Sequence, residues 1–555
     1  MRGRDSPESG LEWSNEVHDE RSADGVAGRP SGADGLTIQC SRCKQRDLSS
    51  TMQFDEADNE NRHLLAPAAA PAKDPPGIHT RTLSVPLLAA LYFFTVAGGP
   101  IGSESIVSTL GPLVGLVCLA VYPFIYSLPI SLTTAELSAA YSESGGYVHW
   151  CYHAFGPRTA FVCGALSYLS GIADSAIYPG LFVSYMTSTF GALADDSAIA
   201  AASKIAFICF WFMVVFSGIK VVGQTAFVLG GIVLLPFFVF VCVGLPQVDP
   251  ARWLGGVSAS VTPNGTTTST SSPPLTWTDY CTFASVLYWN FSGGDQLATF
   301  AGEVKEPRKT YPKAAVWGVA IVALNYMLPL LVVSGVLEPG AELANFTVGG
   351  FPEVAEIVGG VWLKWMVLGA SWLGCCALFF TEISEDSFLL LGMSEMGLAP
   401  SVCRSRHATS AIPTHALITG SILVTIISLS GSFVQIVALD NAFNCASILL
   451  ELAAAVWLRF KMPDLERPFK FPVSDGQLIF VLAVPTLLTI LVGASSLASD
   501  STGAAAMAFF CCVLGLLVLH EGVLVWRRCA YCRMQARRKT IPDFRRAAAI
   551  VEEEA

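Results

Sequence analysis

Uncharged apolar runs recur along the chain, separated by short polar connections. They cover residues 82–103, 111–135, 221–248, 314–337, 416–439, 477–499 and 502–519, and shorter or interrupted runs lie at 159–190, 205–219, 280–300, 365–395 and 442–458. A helix needs about 20 apolar residues to cross the hydrocarbon core of a bilayer. The pattern therefore predicts an all-α integral membrane protein with about 12 transmembrane helices. The runs are continuous rather than alternating, which excludes a membrane β-barrel. Buried helices of a soluble protein do not come this long and uncharged a dozen times.

Two of these runs are interrupted in a similar way. The first ends in Ala97-Gly-Gly-Pro-Ile-Gly-Ser-Glu104, where Gly98, Gly99, Pro100 and Gly102 are poor helix formers in close succession and Pro100 lacks an N–H. Five spans later, Tyr288-Trp-Asn-Phe-Ser-Gly-Gly-Asp295 repeats the glycine pair and the following acid. Backbone broken at membrane depth survives only where it is buried in protein or lines a cavity. Matching breaks in the first and sixth spans predict a 5+5 inverted repeat with a substrate site near the bilayer midplane.

Acids inside the spans carry the chemistry. Glu104, Asp174, Asp295 and Glu382 fall in spans one, three, six and eight, with no Lys or Arg near them in those spans. A carboxylate at the bilayer centre costs a few kcal/mol and marks a functional interior position. These acids need protons, another cation or a cationic ligand. Local roles are the competing account, with Asp174 bonded to Ser170 or Tyr178 and Glu382 to a neighbouring helix.

Composition and charge agree with a membrane protein. Of 555 residues, 52% are hydrophobic and 14% charged, with a mean hydropathy of +0.53; soluble domains average about 25% charged. Residues 1–80 are charged and poor in aromatics and read as a disordered cytoplasmic tail. No secretory leader pattern stands near Met1. Residues 81–530 form the expected transporter domain, and 531–555 a cytoplasmic carboxyl-terminal tail. Basic connections at Lys305–Lys313, Arg404–Arg406, Arg459–Lys470 and from Arg527 onward fall after even-numbered spans, so both termini are expected to be cytoplasmic. Sequons at Asn264 and Asn345 then face outward. The net charge of −11 owes part of its size to the tail and names no partner; no nucleic acid is expected. Cys40/Cys43 and Cys529/Cys532 form two CxxC pairs without the ordered spacing of a zinc site. His149 and His153 have helical i, i+4 spacing but no third ligand, and no metal is expected. There is no Ser/His/Asp or HExxH pattern, so no enzyme is expected.

The stretches "GGPIGSES", "SGGYVHW", "SYLSGIADSAIYPGLF", "YWNFSGGDQLATFAGEVKEPRKTYPKA" and "TEISEDSFLLLGMSEMGLAPS" resemble the amino acid/polyamine/organocation superfamily over residues 80–530. Within it they are most similar to plant and protozoan polyamine permeases, near the L-type amino acid transporter branch. The resemblance implies a LeuT-like fold with broken helices 1 and 6. It also implies a secondary transporter that imports polyamines such as putrescine and spermidine by alternating access. In similar amino acid transporters, backbone N–H groups of the first break receive the substrate carboxylate. Here Pro100 removes a donor and Glu104 adds an anion, both of which favour an ammonium. The expected substrate contacts are Gly98, Gly99, Pro100, Gly102, Glu104, Asp174, Tyr178, Trp289, Asn290 and Asp295, with Tyr288 and Tyr92 as further aromatic candidates for cation and methylene contact. A desolvated carboxyl can load and release a proton; Glu104 and then Glu382 are the expected coupling residues. No cofactor is expected beyond that proton. Ser384 and Ser387 leave sodium open as the coupling ion. The alternatives are a cationic or neutral amino acid transporter and a non-transporting nutrient sensor. The expected setting is multi-pass in the plasma membrane. No cysteine on an outer loop advertises a disulfide-linked auxiliary subunit.

Overall fold

The computed structural model describes residues 81–190, 197–254, 275–347, 349–430, 433–498 and 515. The two tails, both CxxC pairs, Asn264 and, apart from Gly515, the expected last span at 502–519 lie outside the described residues.

Eight helices are each long and apolar enough to cross a membrane. Together with Thr414–Ser430 and two broken spans, they make eleven crossings among the described residues. The first span is a helix Val85–Val96, a non-helical turn, and a short helix Glu104–Ser108. The sixth is Trp277–Phe291, a turn, and a 3-10 segment Gln296–Glu303. Both breaks fall where glycine clusters predict them. Gly99 and Gly293 take positive φ of 104° and 95°, a region that a side chain disfavours. The two broken spans are tied at one end: Leu83 and Val304 form a parallel bridge, and Lys305 N–H donates to the Leu83 carbonyl at 2.9 Å.

The remaining spans surround these two. The third, Pro157–Phe190, and the eighth, Val361–Glu395, are the most enclosed, while Ser197–Phe216 and Asp475–Ala498 turn most of their apolar surface outward. This outward surface suits lipid, because a helix that is apolar all round has no hydrophobic reason to avoid it. The second span bends through a π-type turn at Pro123–Ser127, where Pro123 withholds an N–H. A short helix Tyr147–Phe155 joins the second and third spans.

One boundary differs from the hydropathy pattern. The ninth helix ends at Ser430, and the tenth runs Phe433–Lys461. The apolar run drawn as 416–439 therefore belongs partly to the next span. Ser430-Gly-Ser432 is turn chemistry that a hydropathy count ignores. The shift places Asp440 inside the tenth span.

The face that carries the basic connections is closed by buried ion pairs. Glu136, at the end of the second span, accepts hydrogen bonds from Arg459 and from the backbone N–H of Phe471 (2.8 Å), and pairs with Arg467 at 3.0 Å. Glu303, ending the sixth span, pairs with Arg406 at 2.6 Å. Paired arginines of this kind satisfy charges that burial would otherwise make costly.

Candidate functional site

The turn of the first span, the facing turn of the sixth, and the third, eighth and tenth helices enclose a small cavity. Its volume is about 30 Å³, enough for water. From the first span come Ala97 and Gly98; from the third, Asp174 and Tyr178; from the sixth, Trp289 and Gly293; from the tenth, Asp440 and Asn444.

Asp174 is held by two donors. Tyr178 Oη, one turn along the same helix, donates to Oδ2 at 2.5 Å, and Trp289 Nε1 donates to Oδ1 at 3.4 Å. On the tenth helix, Asp440 Oδ1 accepts the hydroxyl of Ser170, one turn before Asp174 on the third, at 2.5 Å, and Asn444 Oδ1 accepts the Tyr288 hydroxyl at 2.7 Å. The cavity thus presents two carboxylates on separate helices, two aromatic side chains that bond or border them, and no Lys or Arg in its lining. Such a site attracts cations, because nothing local neutralises its charge.

The expected site residues divide by position. Gly98, Asp174, Tyr178 and Trp289 line the cavity. Gly99, Pro100 and Gly102 shape the turn above it; Gly102 has φ of 82° and packs against the Trp289 ring, where a β-carbon would approach to 2.5 Å. Asn290 is fully buried and donates to the carbonyls of Gly102 at 3.1 Å and Val286 at 2.8 Å, so it bridges the two broken spans rather than facing the cavity. Asp295 borders a smaller neighbouring cavity with Tyr92, Ser127 and Ser131. Glu104 is buried at the first turn of its short helix, and its Oε1 accepts the N–H of Gly349 from the loop after the seventh span at 3.0 Å. Glu382 is buried on the eighth helix among Glu385, Asp386, Asp174 and Asp440, all close enough to interact electrostatically.

Sequence reasoning missed Asp440, Glu385, Asp386 and Glu451, each buried to 5% exposure or less. The signal for Asp440 was a polar residue two positions before the run drawn as 442–458, inside a helix that in fact starts at Phe433. Glu385 and Asp386 stand one turn from Glu382, on a helix so enclosed that every residue from Gly374 to Ser394 is buried. His149 Nε2 faces the Ser144 carbonyl at 3.0 Å, and His153 stacks on Tyr141, away from the cavity.

Comparison with known proteins follows this geometry. A family model described as amino acid permease matches residues 89–519. Polyamine transporter PUT1 of Oryza sativa subsp. japonica is 37% identical over 432 residues, covering 77% of each chain. Polyamine transporter RMV1 of Arabidopsis thaliana is 34% identical over 76% of this chain and 82% of its own. A probable agmatine/putrescine antiporter of Lactococcus lactis is 24% identical over 66% of this chain and 78% of its own. These relatives are permeases and transporters, not enzymes. The broken first and sixth spans fit the LeuT-like inverted repeat of about twelve helices that the family implies. The chain belongs to the amino acid permease family of the amino acid/polyamine/organocation superfamily, in the branch that holds the plant transporters.

Proposed function

We propose that the chain is a secondary transporter of polyamines, importing putrescine- or spermidine-like amines by alternating access between the two faces of the membrane. The observation that carries this reading is the pair Asp174 and Asp440, two carboxylates on different helices bordering one cavity that no cation lines. An α,ω-diamine has an ammonium at each end, and two carboxylates answer both. The Trp289 and Tyr178 rings suit the methylene chain and the cation face between them. A zwitterionic amino acid would bring a carboxylate into a site that already holds two. The names of the similar plant transporters support the same substrate class.

Within this reading both termini lie in the cytoplasm of a plasma-membrane protein, which the basic connections support, and proton flow drives import. The Gly98, Gly99, Pro100 and Gly102 turn lets the first span hinge beside the bound amine. Glu104, bonded to the Gly349 N–H, fastens the outer loop over that turn. Uptake of labelled putrescine and spermidine into cells that express the chain tests the proposal. Competition by excess unlabelled putrescine and none by leucine is expected. Leucine uptake that polyamines do not inhibit overturns it.

A further inference from the structure

Asp295 and Glu451 are two acids in contact, deep in the protein and behind the cavity described above. Each is 4% exposed, and their carboxyl groups lie within hydrogen-bonding reach of one another. Two carboxyl groups can share a hydrogen bond only if one of them holds a proton. Glu451 Oε1 also accepts the Ser447 hydroxyl at 3.0 Å. Asp295 Oδ1, which is buried, has no hydrogen-bond partner, and Asp295 borders the small neighbouring cavity. Among the described residues, neither acid has an ion-pair partner.

The groups that face the pair confirm its isolation from positive charge. They are Tyr92 from the first span, Tyr126 from the second, Tyr147 from the short helix, Cys163 from the third span and Glu385 from the eighth. Glu385 accepts the Thr95 hydroxyl at 2.5 Å, and none of these groups is a cation at neutral pH. In so apolar a place two touching carboxylates cannot both ionise.

The pair is also connected to the substrate cavity. Ser292 and Gly293, in the break of the sixth span, border both cavities, and Asp295 follows them by two residues. The Asp295 carbonyl accepts the Ala298 N–H at 2.9 Å and starts the 3-10 segment that leads to the closed face. A change of charge at Asp295 therefore acts on the same turn that borders the amine.

We propose that the Asp295–Glu451 pair holds the exchangeable proton of the transport cycle, one proton shared between two carboxyl groups. In the closed form the Glu451 carboxyl donates to the Asp295 carboxylate, and the pair carries one negative charge. When the sixth-span turn opens to water, the O–H bond of the shared proton breaks and the proton passes to a water molecule. Two carboxylates remain, hydrated. Closure then requires one proton to return from the side to which the turn is open. The proton need not compete with the amine for Asp174 or Asp440. This assignment rests on the transport reading above and adds to it the identity of the titrating group.

The test uses the full chain purified into liposomes in sodium-free, choline-based medium with labelled putrescine. Counterflow without any gradient first establishes transport; its absence in the wild type overturns the proposed function itself. With counterflow present, an inward proton gradient of about one pH unit drives about tenfold accumulation per coupled proton. The measured quantity is the ratio of uptake with the gradient to uptake without it. Glu451→Gln and Asp295→Asn are expected to bring that ratio to about one, because an amide exchanges no proton at these pH values. A ratio in Glu451→Gln equal to that of the wild type, or a wild type that counterflows but ignores the gradient, overturns the proton pair and leaves the substrate reading standing. A wild type that accumulates putrescine only when sodium is restored also overturns it. If Glu451→Gln fails to reach the membrane, Ser447→Ala decides. It removes the hydroxyl that donates to Glu451 Oε1, together with a longer contact to the Cys163 carbonyl, so the pH of half-maximal uptake should shift. An unmoved profile overturns the assignment.

Discussion

The helix backbone at Gly374, in the eighth span, lies directly on the carbonyl of Gly98 in the break of the first. A β-carbon at Gly374 would overlap that oxygen, and one at Gly98 would come within 2.9 Å of the Gly374 carbonyl. Each glycine therefore makes room for the other, and the contact sets how close the turn that borders the cavity stands to the eighth helix.

Gly374→Ala should push the first-span turn away from its position. Overpacking of this kind costs about 1–3 kcal/mol. The expected result is a protein that still reaches the membrane but has lost more than about tenfold of its putrescine transport. Gly369→Ala, five residues earlier on the same helix, is the control, since a β-carbon there meets nothing within 4 Å. Equal uptake by the two variants would show that the Gly98–Gly374 contact does not position the site.

The closure of the basic face makes a prediction about stability. Glu136 accepts hydrogen bonds from Arg459 and the Phe471 N–H and forms an ion pair with Arg467. Arg459 also reaches Asp475 at 2.9 Å and the Val473 carbonyl at 3.0 Å. Breaking a buried pair from one side leaves the other charge uncompensated, at a cost of about 3–5 kcal/mol. Glu136→Gln should lower the thermal unfolding midpoint of the detergent-purified protein by several degrees. Arg459→Lys should not escape the same fall, because a single ammonium cannot serve acceptors spread around a planar guanidinium. An unchanged midpoint in both variants would mean that this network is not what holds the face shut.

A pH effect is expected from His149, which lies outside the spans. Burial pushes its imidazole below the ordinary value, against the opposing pull of Glu143 at 3.3 Å and the Ser144 carbonyl. The folded value lies under the unfolded one, so the unfolded chain binds the proton more readily. Stability is then unaffected well above the ordinary histidine value and falls as pH drops through it. The loss of thermal midpoint between about pH 7.5 and about pH 5.5 should be smaller in His149→Gln than in the wild type. An identical loss would remove His149 from the acid response.

Part of this architecture was legible in the sequence because hydrophobicity and helix breaking are local properties. Gly98, Gly99 and Pro100 announce a break whatever surrounds them, and Glu104, Asp174, Asp295 and Glu382 are conspicuous in uncharged runs. The partners of those acids were not legible. Whether Asp295 meets an amine or a second carboxyl depends on which helix packs against it, and Glu451 lies 156 residues further on. Asp440 was hidden because the tenth span is mildly polar, and an apolar count assigned its first turns to the helix before it. Glu382, Glu385 and Asp386 share one stretch of helix, and only packing distributes them among different neighbours. Asn290 follows the cavity residue Trp289 in the sequence, but one step along a helix turns a side chain by about 100°, here toward the Gly102 carbonyl.

The last prediction concerns the two carboxylates that border the cavity. If Asp174 and Asp440 each take one end of a diamine, the second ammonium of putrescine has value only while both acids are present. Removing one partner of a desolvated charge pair costs about 2–5 kcal/mol, and each 1.4 kcal/mol is about tenfold in affinity. Asp174→Asn and Asp440→Asn should each weaken putrescine transport by more than about tenfold. The sharper measurement is the preference for putrescine over n-butylamine, which has the same methylene chain and one ammonium. The wild type should prefer the diamine strongly, and either Asn variant should lose most of that preference, because one of the two ammonium sites is gone. Tyr178→Phe removes a hydroxyl that holds Asp174 but leaves the charge, so it should weaken both amines by a similar, smaller factor and keep the preference. Glu104→Gln should also keep it, since Glu104 meets the Gly349 N–H and not the cavity. A preference that survives in both Asp174→Asn and Asp440→Asn, in protein that reaches the membrane, would sink the two-acid site. Loss in only one of them would make that acid the single anchor for an ammonium and remove the other from the substrate site.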